Sequence, residues 1–155
     1  MPTVYRVEAR AHSRATEVVD RVVAAVQNVF PDEARRRVAV ETRTVEGHGG
    51  IPLVIVTASL KGEDVGNRTF EYLANELSEG DRIWLNSTLD RRVDQKCVLF
   101  LRVDKQRAYR GQIVLAAGPD IISLQIHFRN GRKCKRSQVI AFIRNVLALT
   151  QHGAQ

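Results

Sequence analysis

The sequence of 155 residues lacks the features that mark several large classes of protein. Its apolar runs, such as residues 97–101, are far shorter than the roughly 20 residues that a membrane helix needs. Residues 1–6 contain no apolar stretch of the kind found in signal peptides. These absences predict a cytoplasmic protein without a membrane partner. Its length predicts one domain over residues 1–150 and a flexible tail at residues 151–155.

Cysteine is scarce, since Cys97 and Cys134 are the only two and they do not form a CxxC motif. Cys97 lies in an apolar run and is expected to be a small core residue. Cys134 lies among lysines and arginines, which favour a thiolate. Because the cytosol is reducing, we expect two free thiols, and a disulfide between them is the alternative.

Motifs for metal binding and catalysis are also missing. The sequence has no HExxH, no paired CxxC, no Walker loop and no GxSxG, so it predicts no metal site, no cofactor and no enzyme activity. His48 lies in the glycine-rich turn 47–50, where it either caps the turn or has a function. An RNA-modifying or RNA-cleaving enzyme that uses His48 or His127 as its acid or base is therefore an alternative hypothesis.

Acidic residues are absent after Asp120, and this absence creates a strong asymmetry of charge. The first 120 residues carry 18 cations and 17 acidic residues, whereas the last 35 carry six cations and no acidic residue. Five of these cations lie within residues 129–136, which we name the basic loop. Such an asymmetry indicates a polyanionic partner such as nucleic acid, although a solvated loop would have the same composition.

A smaller group of cations occurs at residues 105–110, which we name the 105–110 cluster. Asp104 precedes it and is expected to accept a hydrogen bond from a backbone amide and so fix a turn. Tyr109 lies between two arginines, where it either stacks on a base or is partly buried. The two basic segments together predict a composite surface for phosphates.

The apolar pattern predicts an α+β fold with a single antiparallel or mixed sheet and helices packed mainly on one face, in the order β-α-β-β-α-α-β-β-β-α. Three side chains are expected to cap helices, namely Thr16, Asn67 and Ser78. Residues 61–65 are expected to be a polar loop. The closing helix at residues 137–149 is apolar around much of its circumference, so it is either well buried or covered by a second subunit. Strands are predicted at residues 4–12, 38–44, 53–60, 97–103, 112–116 and 121–128.

Two segments carry a resemblance to a known family. They are Val-Glu-Gly-His-Gly-Gly-Ile-Pro at residues 45–52 and Leu-Arg-Val-Asp-Lys-Gln-Arg-Ala-Tyr-Arg-Gly at residues 101–111. The chain resembles, from about residue 4 to residue 145, an archaeal family of RNA-binding proteins described as predicted exosome subunits. Ile51 departs from the family pattern, which has asparagine there. The resemblance implies RNA as the polyanion and a fold related to the ribosomal protein that holds 5S rRNA.

The leading hypothesis is therefore a non-catalytic protein that binds rRNA or another structured RNA, associated with the ribosome or the exosome. Phosphate contacts would supply most of the affinity and little sequence specificity. The alternative is a homodimeric interaction or scaffold module whose basic loop docks on an acidic protein. The predicted RNA contacts are Lys105, Arg107, Tyr109, Arg110, Arg129, Arg132, Lys133, Lys135 and Arg136.

Overall fold

The computed structural model describes residues 1–150, and the predicted tail at residues 151–155 lies outside the described residues. The described chain forms one five-stranded antiparallel sheet with helices packed mainly on one face, which confirms the predicted α+β class. The strand order across the sheet is β2-β3-β1-β5-β4. The strands are β1 (Thr3–Ser13), β2 (Ala39–Glu46), β3 (Pro52–Lys61), β4 (Val98–Asp104) and β5 (Ile121–Arg129).

The order of elements agrees roughly with the predicted one, and three helices of four or five residues, α2, α5 and α6, add to it. No described helix combines the length and the apolar character that crossing a membrane requires. The helices are α1 (Val19–Gln27), α2 (Asp32–Arg35), α3 (Glu63–Glu76), α4 (Glu79–Ser87), α5 (Leu89–Arg92), α6 (Lys105–Tyr109) and α7 (Arg136–Thr150).

Burial alternates along the strands, and this alternation decides where the helices lie. In β1, Val7 and Ala9 are fully buried. Helix α3 can approach this face closely because it has Gly66 there, where an added Cβ would lie only 2.5 Å from the Val4 carbonyl oxygen. Phe70 of α3 packs edge to face on Phe128 of β5, with ring centroids 5.2 Å apart. The helices therefore cover one face of the sheet and leave the other in water.

The predicted strand at residues 112–116 is wrong. This segment pairs with β4 only at one bridge, between Leu115 and Val103. The Leu115 amide donates instead to the Asp81 carboxylate, at 2.9 Å, so the strand pairing does not continue on its other side.

Two of the three predicted caps are also wrong. Helix α3 begins at Glu63, directly after Gly62 (φ 126°), so residues 61–65 do not form a loop. The side-chain oxygen Oδ1 of Asn67, four residues into this helix, accepts from the Val4 amide at 2.8 Å. Helix α1 begins at Val19, too far along the chain for Thr16 to cap it. The third cap is confirmed, because Ser78 Oγ accepts from the Asp81 amide at 3.1 Å.

The expectation of two free thiols is wrong as well, since Cys97 and Cys134 form a disulfide with their Cα atoms 5.7 Å apart. Cys97 is fully buried directly before β4, and Cys134 lies in the basic loop. The compartment argument considers only the average redox state of the cytosol. The disulfide forms because the fold places the basic loop next to the start of β4, and the redox state of the cytosol does not predict this proximity.

Candidate nucleic-acid interface

The basic loop is a tight turn that follows β5 and precedes α7. Asn130 and Lys133 exchange backbone hydrogen bonds of 2.6 and 3.0 Å across it, and Gly131 takes the left-handed conformation (φ 62°) that the turn requires. The Asn130 side-chain amide donates to Gln138 in α7, at 3.1 Å. The loop therefore has a defined backbone conformation.

Two attachments connect the end of this loop to the rest of the protein. One is the disulfide from Cys134. The other is the guanidinium of Arg136, which donates to the carbonyl oxygens of Val93 at 3.1 Å and of Asp90 at 2.8 Å. Arg136 was predicted to contact RNA, but two of its five N–H donors bind these backbone carbonyls and hold the side chain against the segment before β4. We therefore assign it to positioning the loop.

Three loop cations remain available. Arg132, Lys133 and Lys135 are exposed, and their side chains have no hydrogen bond or ion pair with any described residue. Three cations within four residues on an ordered turn create a local positive field that suits adjacent phosphates.

Arg129, at the end of β5, is partly engaged. Its guanidinium lies 4.5 Å above the ring of Tyr5 and 3.6 Å from the Glu63 carboxylate. A hydrogen bond from Thr3 and the charge of Arg129 lower the pKa of Glu63. Because Arg129 remains about 39% exposed, one side of its guanidinium can still meet a ligand.

The 105–110 cluster has a different structure, and Lys105 is its clearest case. The Lys105 side chain is only 4% exposed, and its ammonium bonds to Glu17 at 2.9 Å, Asp120 at 2.8 Å and the His12 carbonyl at 2.8 Å. Burial raises the pKa of both carboxyls, but their hydrogen bonds, among them those from Lys105, outweigh it and lower the pKa of each. An ammonium with three acceptors has no donor left for a phosphate, so we leave Lys105 out of the interface.

The rest of this cluster is organised around helix α6. Asp104 caps the helix as predicted, accepting from the Arg107 amide at 2.8 Å. Arg107 also donates to the Gln112 side chain at 3.0 Å. Tyr109 is 43% exposed, with the Arg21 guanidinium 5.8 Å from its ring centroid. Arg110 is exposed, and its side chain has no partner among the described residues.

The two basic segments do not meet. In the pairing of β4 with β5, Asp104 lies opposite Ile121 at one end and Val98 lies opposite His127 at the other. Helix α6 follows the first end and the basic loop follows the second, so about 20 Å of strand separates them. Helix α6 also packs on α1, in the helical layer. The two basic segments therefore do not form the single composite surface that was predicted.

A third basic surface, which the sequence reasoning missed, lies between these ends. We name the side of the sheet opposite the helices the open face. All of its residues except Val98 are exposed or half-buried. It consists of Thr3, Arg6, Glu8, Arg10 and His12 of β1, Ala39, Glu41, Arg43 and Val45 of β2, Leu53, Ile55, Thr57, Ser59 and Lys61 of β3, Val98, Phe100, Arg102 and Asp104 of β4, and Ile121, Ser123, Gln125, His127 and Arg129 of β5.

The signal for this surface was present in the alternation of each strand. Arg6, Glu8 and Arg10 alternate with apolar residues along β1, but a single strand cannot show which other polar residues share its face. The register supplies this, because it places Arg10 beside Ser123 of β5, which in turn lies beside Arg102 of β4.

The glycine-rich turn at residues 47–50 has a structural role. The Gly47 amide donates to the Ile51 carbonyl at 2.7 Å and closes the hairpin between β2 and β3. A Cβ at Gly47 would lie 2.6 Å from that oxygen, so a larger residue does not fit there. His48 and Ile51 are both exposed on the turn. Within residues 1–150, no three His, Cys, Asp or Glu side chains are grouped so that they could hold a metal ion.

Comparison with known proteins gives consistent results. A family model described as "RNA binding" matches residues 6–128. RNA-binding protein PAB1135 of Pyrococcus abyssi is 29% identical over 144 residues, which cover 92% of this chain and 93% of the relative. The crystal structure of protein AF2318 from Archaeoglobus fulgidus has a TM-score of 0.76 at 29% identity, over 92% of this chain and 99% of that one. Mth689 from Methanothermobacter thermautotrophicus has a TM-score of 0.75 at 26% identity, over 94% of this chain and 98% of that one.

Proposed function

We propose that this chain, which belongs to the family of RNA-binding proteins matched over residues 6–128, binds RNA phosphates through its basic loop. The observation that carries the proposal is the set of three exposed cations without partners, Arg132, Lys133 and Lys135, on a loop held in place by a disulfide. Because phosphates are common to all RNA, such contacts give affinity and little sequence specificity.

The salt dependence of RNA binding tests this assignment. Each neutralised phosphate contributes about 0.7 to 0.9 to the slope of log K against log salt. Replacing Arg132, Lys133 and Lys135 by alanine should therefore flatten the slope measured with tRNA or rRNA by roughly 2 to 3.

A matched control removes the same charge elsewhere. Arg14, Arg36 and Arg91 are exposed and their side chains have no hydrogen bond or ion pair within residues 1–150. Their triple alanine variant should change the slope much less. If the slope of log K against log salt falls equally in both triple variants, RNA affinity depends only on the net charge of the protein, and the assignment to the basic loop is wrong.

We also propose that the protein is not an enzyme. His48 stands on the turn between β2 and β3, whereas His127 lies on β5 opposite Arg6, so the two imidazoles do not form one acid–base pair. Total RNA incubated with the protein should keep its length distribution and its nucleoside composition. A change that the His127→Gln or His48→Gln variant abolishes would contradict this proposal.

A dimeric scaffold is the competing proposal, and the burial of α7 argues against it. Val139, Ile143 and Leu147 lie in the core of the same chain, so most of the apolar side of α7 is already covered. Light scattering should give the mass of one chain, 17.4 kDa, without RNA. A dimer without RNA affinity would favour the scaffold.

Association with the ribosome or the exosome, and a topology related to the ribosomal protein that holds 5S rRNA, stay predictions. Copurification from native cells tests the association, because ribosomal proteins or exonuclease subunits should be recovered together with the RNA. The same experiment identifies the RNA by sequencing.

A further inference from the structure

We infer that the open face binds single-stranded RNA, as a second contact surface beside the basic loop. This inference rests on the proposed function and names the kind of RNA and the surface that would receive it. The family match supports it, since residues 6–128 contain nearly all of the open face and end before the basic loop turns.

The open face carries an excess of positive charge. Its six lysine and arginine side chains outnumber its three carboxylates, Glu8, Glu41 and Asp104, two to one. The side chains of Arg10, Arg43 and Lys61 have no hydrogen bond or ion pair with any residue from 1 to 150. The six cations of the open face are Arg6, Arg10, Arg43, Lys61, Arg102 and Arg129.

The position of these cations matters as much as their number. Arg10 lies on the central strand β1, and the register places it in one row with Thr57 and Ser123, across from Arg102. The small Ser123 side chain therefore lies between the two guanidinium groups and leaves room above the sheet between them. A strand of phosphates can lie along such a row, because the charges are at the surface and are fixed by the sheet.

The open face also presents aromatic rings. Phe100 is 41% exposed on β4, in the cross-strand row that contains Gln125 and Glu8. Near the loop end of the face, Tyr5 lies under the Arg129 guanidinium, and its ring centroid is 5.9 Å from that of His127. Exposed aromatic and guanidinium planes among cations are the elements on which unpaired bases stack.

Three side-chain nitrogens on the open face lack hydrogen-bond partners. Arg6 Nε, Arg129 Nε and His127 Nε2 find no acceptor among the described residues, although the Arg6 guanidinium pairs with Glu8 through another nitrogen. Donors of this kind are costly when they are left unpaired. A phosphate or a base edge on the open face would supply the missing acceptors.

Duplex RNA suits this surface less well. Its bases are stacked inside an A-form helix, and its accessible groups are phosphates and 2′-hydroxyls. The rings of Phe100 and Tyr5 would then have no base to stack on. An acidic protein would satisfy the cations but would leave the same rings without partners.

The test compares an oligouridylate of 15 nucleotides with a 15-base-pair RNA duplex and with poly-L-glutamate, by fluorescence anisotropy. The Phe100→Ala variant should lose about 5- to 100-fold in affinity for the oligouridylate. Its affinity for the duplex should not change, and Phe100→Tyr should bind like the wild type because its ring can still stack. The control variant Ile83→Ala removes an apolar side chain that is 59% exposed on α4, and it should bind like the wild type.

The outcomes separate this inference from the proposed function. If the wild type binds RNA and Phe100→Ala loses nothing with the oligouridylate, the open face is not the platform, and the basic loop proposal stands. Preference of the wild type for the duplex, or equal competition by poly-L-glutamate, also overturns the inference. If the wild type binds neither RNA, both proposals fail. Thermal melting of each variant shows that loss of binding is not loss of folding.

Discussion

The basic loop and the 105–110 cluster look alike in the sequence, since both combine closely spaced cations with a turn. In the fold they differ. Lys105 has three acceptors within 3 Å and is almost fully buried. Lys133 and Lys135 are exposed, with no side-chain partner in the described chain. The pattern of charge in a sequence therefore predicts the sign of a local field, whereas the hydrogen-bond environment decides which cations can meet a ligand.

The two segments also keep their shape by different means. Helix α6 has a capping side chain in Asp104 and hydrogen bonds from Asn28 to the carbonyls of Ala108 and Tyr109, at 2.9 and 3.3 Å. The end of the basic loop is attached through a covalent bond from Cys134 and the guanidinium of Arg136. The 105–110 cluster is therefore fixed by hydrogen bonds at both ends of helix α6, whereas the basic loop is an exposed loop attached to the protein at its carboxy-terminal end.

The largest expected effect comes from removing the disulfide. Cys134→Ser opens a cross-link between residues 37 positions apart, and the loop-entropy relation gives about 4 kcal/mol of lost stability. Urea unfolding measures this loss, and the wild type in reductant should match the variant. Equal stability of the oxidised and reduced wild type would mean that the basic loop is not held covalently. The contrast between the two basic segments in how they keep their shape would then be wrong.

The second effect concerns Lys105. Lys105→Met leaves Glu17 and Asp120 without their shared cation, and we expect a loss of about 3 kcal/mol, near the lower limit for a broken buried pair because both carboxylates are partly exposed. Urea unfolding at pH 7 measures it. RNA affinity per folded molecule should stay unchanged. A fall in affinity as large as that of the triple alanine variant of the basic loop would show that Lys105 does contact RNA.

The acid range gives an independent measure of the same ion pairs. The pKa of Glu17 is lowered from 4.5 and that of Asp120 from 3.8, so their contribution to stability is present above these values. It is lost as the pH falls below about 4.5 through the lower pKa values of the folded state. Lys105→Met should show a weaker loss over this range than the wild type. Arg110→Ala, the exposed control in the same segment, should remain within about 0.5 kcal/mol of the wild type.

The third effect tests the cap of α6. Asp104→Ala removes the acceptor of the Arg107 amide and should cost about 1 kcal/mol in thermal or urea unfolding. Asp104→Asn keeps a capping oxygen, so it should lose only a fraction of that amount. Equal losses of stability in the two variants would show that the charge of Asp104, and not its hydrogen bond, stabilises helix α6.

The smallest expected effect concerns His127, near the loop end of the open face. Burial lowers its pKa from 6.5, although the charge of Glu8 opposes this. Protonation therefore favours the unfolded state, and stability should fall as the pH drops from 6.5 through the lower folded value. NMR titration should give a higher pKa for His127 when RNA is bound, because a phosphate stabilises the imidazolium. An unchanged pKa would place the RNA away from this end of the face.

Local patterns account for the parts of the fold that were predicted correctly. The strand β1 and the Ser78 cap both depend on residues close together in sequence. The errors occur where a distant partner competes for a local group. Asn67 bonds the Val4 amide, and the Leu115 amide bonds Asp81, so neither residue adopts the structure that its neighbours indicate.

The candidate site divides in the same way. The exposed cations Arg132, Lys133 and Lys135 follow from composition and from the glycine in the turn. Burial of Lys105 does not, because its acceptors Glu17 and Asp120 lie far away in the chain. The open face was missed since its rows exist only after five strands are aligned in register.

The sequence alone thus determined the α+β class, the apolar side of each strand and the excess of positive charge in the last 35 residues. These depend on composition and on short-range periodicity. The tertiary structure decided which cations are buried, that Cys97 and Cys134 meet, and which side chains share one face of the sheet. Hydrogen bonds and burial between distant residues set these outcomes, and a linear pattern contains no distances between such residues.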